Sequence, residues 1–265
     1  HYPLRRQRQM CIRDRESCAV SDATRAVSMG WPALNPSPAY MEYVTCATTG
    51  NATNTSFSMT GNVNWGTSSC SNGTYGYTMG GYRGSTSNVI DYITIQSLSN
   101  ATDHGDLTAG GEYGGGSNDA TYGIMFRGAA SGGSTPGTID YFTMSTSGNA
   151  SDFGDAFGRT KIAGCGDTTR GIFGGGANAA GNTTYNTIEY ITFQTPANAT
   201  DFGDLTSSRL GLSAASDATK GTFNGGNGYV ETIDYVTIQT TGNAQAFGDL
   251  TAAKQYSAGC SGNAS

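Results

Sequence analysis

The chain has little charge, little proline and few of the residues that favour helices. Charged side chains make up 13% of the 265 residues, about half the usual quarter. No apolar run approaches the ~18 residues that a membrane-spanning helix requires. Six Pro and no Gly-X-Y period exclude collagen. No Cys-x-x-Cys pair points to zinc, and the odd set Cys18, Cys46, Cys70, Cys165 and Cys260 after the first 15 residues is no disulfide framework. Leu, Lys, Glu and Met are scarce. Gly is abundant instead, 40 residues or about 15% against a usual ~7%, accompanied by Thr, Tyr and Ile. That balance predicts an all-β protein with many tight turns.

Residues 1–15 (HYPLRRQRQMCIRDR) hold five of the 14 basic residues. The stretch from Met10 to Arg15 resembles a translated sequencing-adapter end, so 1–15 is set aside as an artefactual, disordered segment. The competing reading is a basic arm for an anionic surface or nucleic acid. Residues 16–265 carry 19 acidic and 9 basic side chains, a net of −10 against −6 for the whole chain. Such a domain repels phosphate backbones, so nucleic acid is not an expected partner.

A repeat of about 49 residues organises the rest. Its anchor is Glu42-Tyr43-Val44-Thr45, then Asp91-Tyr92-Ile93-Thr94, Asp140-Tyr141-Phe142-Thr143, Glu189-Tyr190-Ile191-Thr192 and Asp234-Tyr235-Val236-Thr237. An Asn-Ala turn and an Asp-x-Gly-Asp motif follow, as at Asp103–Asp106, Asp152–Asp155 and Asp201–Asp204. The units run over about 17–64, 65–113, 114–161, 162–209 and 210–255, with a partial copy at 256–265. Each reads as four short strands. In the fifth these are Gly211–Ser216, Gly221–Asn224, Thr232–Gln239 and Phe247–Thr251. The third strand is apolar on both faces, as expected of a sheet stacked between like sheets. Only turns separate the units, so 16–265 reads as one domain.

The unit resembles the kelch repeat: Gly80-Gly81, Gly174-Gly175 and Gly225-Gly226 end the second strand, Tyr43, Tyr92, Tyr141, Tyr190 and Tyr235 mark the third, and Arg159, Arg209 and Lys254 follow the fourth. Phe153, Phe202 and Phe247 stand near the usual Trp. The repeats also look like those of environmental phage and bacterial proteins. The resemblance implies a β-propeller whose first strand lines the axis, which accounts for the small residues Cys70, Ser117, Cys165, Ala215 and Cys260. Cys46 matches Ile95, Met144, Phe193 and Ile238 and is expected in the core. Tyr256–Ser261 reads as one more first strand, so the expectation is five blades, the start of a sixth, and a chain that is a fragment.

No motif carries a definite chemistry. Asp-x-Gly-Asp reads as an Asx turn, with calcium as the competing reading. The acid before each Tyr reads as structural. His104 alone cannot supply the His and Tyr cage of kelch-type copper oxidases, and the Ser-x-Asp-x-Gly-x-Thr-Trp boxes of sialidases are missing. No catalytic residue, metal or cofactor is assigned. The repeats differ most in the loop after the second strand: Trp31–Tyr40, Tyr82–Asn88, Arg127–Gly137, Ala177–Asn186 and Asn227–Glu231. These share a face with the blade crossovers. Trp31, Tyr82, Arg83, Tyr113, Arg127, Arg159, Tyr185, Arg209 and Tyr229 are the expected ligand-binding residues. Two readings follow: a binding or structural module for a glycan or protein ligand, extracellular or virion-associated, or a glycan-active hydrolase or lyase using carboxylates at the channel mouth.

Overall fold

The computed structural model describes residues 18–30, 40–60 and 65–260. These form five four-stranded antiparallel sheets, each from consecutive strands. Blade 1 is β1 (Cys18–Ser21), β2 (Arg25–Gly30), β3 (Tyr40–Thr45) and β4 (Thr53–Ser58). Blade 2 is β5 (Ser68–Ser71), β6 (Tyr75–Met79), β7 (Val89–Thr94) and β8 (Thr102–Asp106). Blade 3 is β9 (Gly115–Asn118), β10 (Tyr122–Phe126), β11 (Thr138–Thr143) and β12 (Ser151–Asp155). Blade 4 is β13 (Ala163–Gly166), β14 (Arg170–Gly174), β15 (Thr187–Thr192) and β16 (Thr200–Asp204). Blade 5 is β17 (Ser213–Ser216), β18 (Lys220–Asn224), β19 (Thr232–Thr237) and β20 (Gln245–Asp249). This is a β-propeller. In the fifth unit each sequence-read strand meets an observed one, with ends shifted by up to two residues at turns.

The core is four apolar clusters, one between each pair of successive blades. Between blades 4 and 5, for example, Cys165, Ile172 and Phe202 meet Phe223, Val236 and Ile238. Second-strand glycines permit this approach: a Cβ on Gly76 would stand 2.4 Å from Val20, and one on Gly221 2.6 Å from Ile172. Thiols in these seams are inert, since burial pushes Cys18 up to about 11 and Cys165 up to about 12.

Asp-x-Gly-Asp lies inside the fourth strand rather than ahead of it. Its glycine faces the residue before the acid, as Gly105 faces Ile90, while Asp91 faces Asp103, so the intervening residue is a bulge. The bulge turns His104, Phe153 and Phe202 into the core. The first Asp accepts the glycine N–H, Asp103 from Gly105 at 3.1 Å and Asp152 from Gly154 at 3.0 Å, which is the Asx geometry. The glycine is required, because a Cβ on Gly105 would fall 2.3 Å from the carbonyl of Gly148 in the next blade. Asn149, Asn198 and Asn243 then accept the N–H of the motif's last Asp from across the seam.

A second link runs at the turn between first and second strands. Asp22, Asp119 and Asp167 each cap their own turn through Oδ1. Their Oδ2 atoms accept from Gln96, Gln194 and Gln239 of the following blade. Between blades 2 and 3 both partners change together: the turn residue is Asn72, and Ser145 stands at the glutamine position.

His104 packs edge-on against Tyr77, Tyr92 and Phe142 in the seam of blades 2 and 3. Burial holds its pKa below the ordinary 6.5. The unfolded chain therefore takes up the proton first as pH falls below about 6.5, and stability declines from there down to the folded pKa. We expect the fall in melting temperature between about pH 7.5 and about pH 5 to be smaller in His104→Phe than in the parent, as read by circular dichroism.

Candidate functional site

The crossovers between blades pair with the variable loops, bringing both to one face. Trp65 bridges to Tyr82, Glu112 to Ala129 and Thr160 to Ala177. At the inner edge of this face a chain of backbone hydrogen bonds runs around the axis from Gly66 to Tyr256, an open ring among the described residues. Tyr113 N–H donates to Gly66 O (2.7 Å), Lys161 to Tyr113 (2.7 Å), Gly211 to Lys161 (2.9 Å) and Tyr256 to Gly211 (2.8 Å). All five residues are left-handed, with φ of 74°, 56°, 60°, 65° and 53° from Gly66 to Tyr256. Two are glycines with close neighbours: a Cβ on Gly66 would stand 3.2 Å from Glu112 Cβ, and one on Gly211 3.0 Å from the Tyr256 ring.

The remaining three are Tyr113, Lys161 and Tyr256, each held where an L side chain costs about 1–2 kcal/mol. Lys161 Nζ sits between the two rings, 5.6 Å from the Tyr113 centroid and 5.7 Å from that of Tyr256. They rim a small axial cavity of about 120 Å³ floored by Cys18, Ser68, Gly115 and Gly164. At the opposite end a cavity of about 500 Å³ is lined by small polar residues, among them Ser71, Asn118, Ser117 and Cys165.

Around the ring the face is aromatic. Trp65 stacks on Tyr82 with centroids 4.6 Å apart and planes 1° from parallel. Phe157 meets Tyr185 edge-on at 4.9 Å, and Phe157 and Tyr229 are exposed. Of the expected binding residues, Tyr82, Tyr113, Tyr185 and Tyr229 therefore reach this face, and Trp31 lies outside the described residues. Trp65, Phe157, Lys161 and Tyr256 escaped that set. For Lys161 and Tyr256 the available signal was a bulky residue where sister repeats carry Gly66 and Gly211; Trp65 and Phe157 carry no such signal.

The arginines are placed differently. Arg127, Arg159 and Arg209 are buried, Arg159 completely. Each pairs with the acid that precedes the third-strand Tyr. Arg209 Nη2 lies 2.9 Å from Asp234, Arg83 Nη2 2.7 Å from Asp91, Arg127 Nη1 3.9 Å from Asp140, and Arg159 bonds Glu189. Arg159 also donates to the carbonyls of Gly175 and Phe173. Guanidiniums enclosed as in Arg127, Arg159 and Arg209 hold strands together rather than face solvent, while Arg83 is half-buried.

The same acids accept from the preceding blade, Asp91 from Thr60, Asp140 from Thr108 and Asp234 from Thr206. The equivalent of these threonines ahead of blade 4 is Phe157, which has no hydroxyl. There the acid is the longer Glu189, which reaches the Phe157 N–H at 3.0 Å. Burial raises the Asp140 pKa, opposed by Thr108 and Arg127. Among the described residues no three His, Cys, Asp or Glu side chains gather into a metal cage.

No family model matches the chain, and no curated protein does. Among solved structures it is similar to the structure of YjhT, with a TM-score of 0.76 and 11% identity over 94% of this chain and 88% of that one. At that identity the likeness shows the propeller fold alone.

Arginine reaches the acid by two routes. In blades 4 and 5 it comes from the crossover, as Arg159 and Arg209, and in blade 3 from the loop, as Arg127. The crossover position before blade 3 is Gly111, where a Cβ would stand 2.2 Å from Arg127 Cγ. Arg127→Gly strands Asp140 and is expected to cost about 3 kcal/mol. Gly111→Arg alone is expected to destabilise by clashing. Together the two changes re-create the blade 5 arrangement, so the double variant should be more stable than either single one. Denaturant melts of the four proteins read this, and simple additivity would refute it.

Proposed function

We propose that the chain is a kelch-like, non-catalytic binding or structural module whose loop-and-crossover face takes a glycan or protein ligand. The observation that carries this reading is the ring. Three side chains are held in a left-handed backbone at positions whose equivalents in the same molecule are Gly66 and Gly211. Strain kept in this way at one mouth of the axis marks a place where the side chains themselves are required. Tyr113, Lys161 and Tyr256 offer two aromatic faces and a cation, within a wider surface that includes Tyr82 on Trp65, Tyr185 on Phe157, and Tyr229. Flat aromatic surfaces flanked by polar groups suit sugar rings and protein loops. A place on a virion or cell surface, as an adhesin or tail-type component, fits the Gly-, Ser-, Thr- and Asn-rich composition.

The hydrolase or lyase reading requires two carboxylates about 5–9 Å apart at the channel mouth. Asp91, Asp140, Glu189 and Asp234 are buried between strands and line neither axial cavity; Asp119 and Asp167 line the larger one, but each caps its own turn and accepts from a glutamine of the next blade. We therefore favour binding.

Tyr113→Gly and Lys161→Gly relieve the left-handed strain and leave the backbone ring intact. Their stability is expected to stay within about 1 kcal/mol of the parent or above it. On a glycan array and in pull-downs the parent should retain a ligand, and the paired variant should lose at least about tenfold in affinity. A parent that retains nothing, or a variant that binds as well, contradicts the proposal.

A further inference from the structure

Each of the four seams buries the outer face of one blade against the inner face of the next. Two equivalent faces are left over among the described residues. On blade 5, Phe247 is 60% exposed where Phe202 is 2%, and Ile233 and Leu250 are half-buried where Ile188 and Leu205 are buried. On blade 1, Val44 is 39% exposed where Ile191 is 3%, and Cys46 is exposed where Phe193 is fully buried. The expected core position of Cys46 is corrected here: among the described residues no blade covers its side of blade 1.

Between these faces runs Tyr256–Cys260. It occupies an inner-strand position, though not as a ladder strand. Tyr256 continues the backbone ring. A Cβ on Gly259 would meet Ala214 O at 2.3 Å, as one on Gly116 meets Ser69 O at 2.1 Å and one on Gly164 meets Gly116 O at 2.5 Å. On its other side the Cys260 thiol is hydrogen-bonded to Ser21 of blade 1. The gap is therefore one blade wide, with its innermost strand in place.

We propose that this slot is a docking site for a three-stranded β-unit of the chain's own repeat type, pairing its second strand with Tyr256–Cys260 by strand addition. The chemistry of the four existing seams identifies the occupant. Asp217 caps its turn as Asp167 does, and in the other seams with an Asp the next blade supplies a Gln to that carboxylate. Thr251 stands where Thr108 and Thr206 bond the acid of the following blade. Phe247 awaits the Val or Ile that follows Tyr on a third strand. A unit with the phrase acid-Tyr-Val-Thr-Ile-Gln meets all three requirements, and blade 5 itself carries it as Asp234–Gln239.

The test extends the full chain after Ser265 with a second copy of its residues 221–250, which continues the register in which Cys260 matches Ala215. Amide exchange at Tyr256–Cys260 should slow at least about tenfold, and the melting temperature should rise by several degrees. Phe247→Ala should be nearly neutral in the parent and should lower the melting temperature by several degrees in the extended chain. Replacing the copy's glutamine (its Gln239) with Ala should remove part of the gain. An added segment that exchanges as a free tail, with Phe247→Ala equally neutral in both chains, overturns the proposal. So does a parent that sediments as a dimer with Phe247 already protected, since a second copy would then fill the slot.

Discussion

The acid ahead of the third-strand Tyr is the constraint on which the propeller depends. It is an ionisable group inside a β-stack, where an uncompensated charge is not tolerated. In blades 2 to 5 it meets two demands together. A guanidinium neutralises it, and a hydroxyl or N–H from the preceding blade completes its hydrogen bonds. Because one partner lies in another repeat, each blade's own electrostatics are satisfied only once its neighbour is seated. Apolar seams supply the bulk of the attraction, but they are non-directional. The carboxylate, the Asp–Gln clamp and the Asn that caps the fourth strand set the angle and register at which one blade meets the next.

The loop face owes its form to the same inner geometry. First strands lie close together around the axis, so their entry residues must turn sharply, and the left-handed ring results. At Gly66 and Gly211 the turn is made without strain. Where Tyr113, Lys161 and Tyr256 occur, the turn is the same and the mouth gains aromatic surface and a charge. The ring keeps its backbone geometry while its chemistry varies.

Much of this architecture was legible in the residues. The 49-residue register, the alternation of the third strand and the Gly-Gly strand ends placed all five blades and the small-residue axis. The Asx reading of Asp-x-Gly-Asp was right about the bond and wrong about the place, since a bulge inside a strand and a turn before it share one signature. The roles of the arginines were not legible. A guanidinium stands at the end of a long side chain, so Arg127 on a loop and Arg209 on a crossover serve equivalent acids although they occupy different repeat positions. Nor was the exposure of Cys46, because a periodic pattern describes a blade with two neighbours, and among the described residues no blade covers that face of blade 1. The place of Trp65 on this face was not legible either, since its stacking on Tyr82 depends on a bridge between crossover and loop.

The matched substitutions across seams have a consequence for how such a gene can change. Phe157 goes with Glu189, Asn72 with Ser145, and Gly111 with Arg127, and in each case the two halves lie in adjoining repeats. Tandem repeats this alike invite recombination that deletes, duplicates or reorders whole units. Here an exchange that separates blade 2 from blade 3, or blade 3 from blade 4, would part a matched pair, leaving a carboxylate without its donor or two side chains in one space. Those blades are alike enough to stack yet not interchangeable, so the order of blades 2 to 4 along the chain is itself under physical selection.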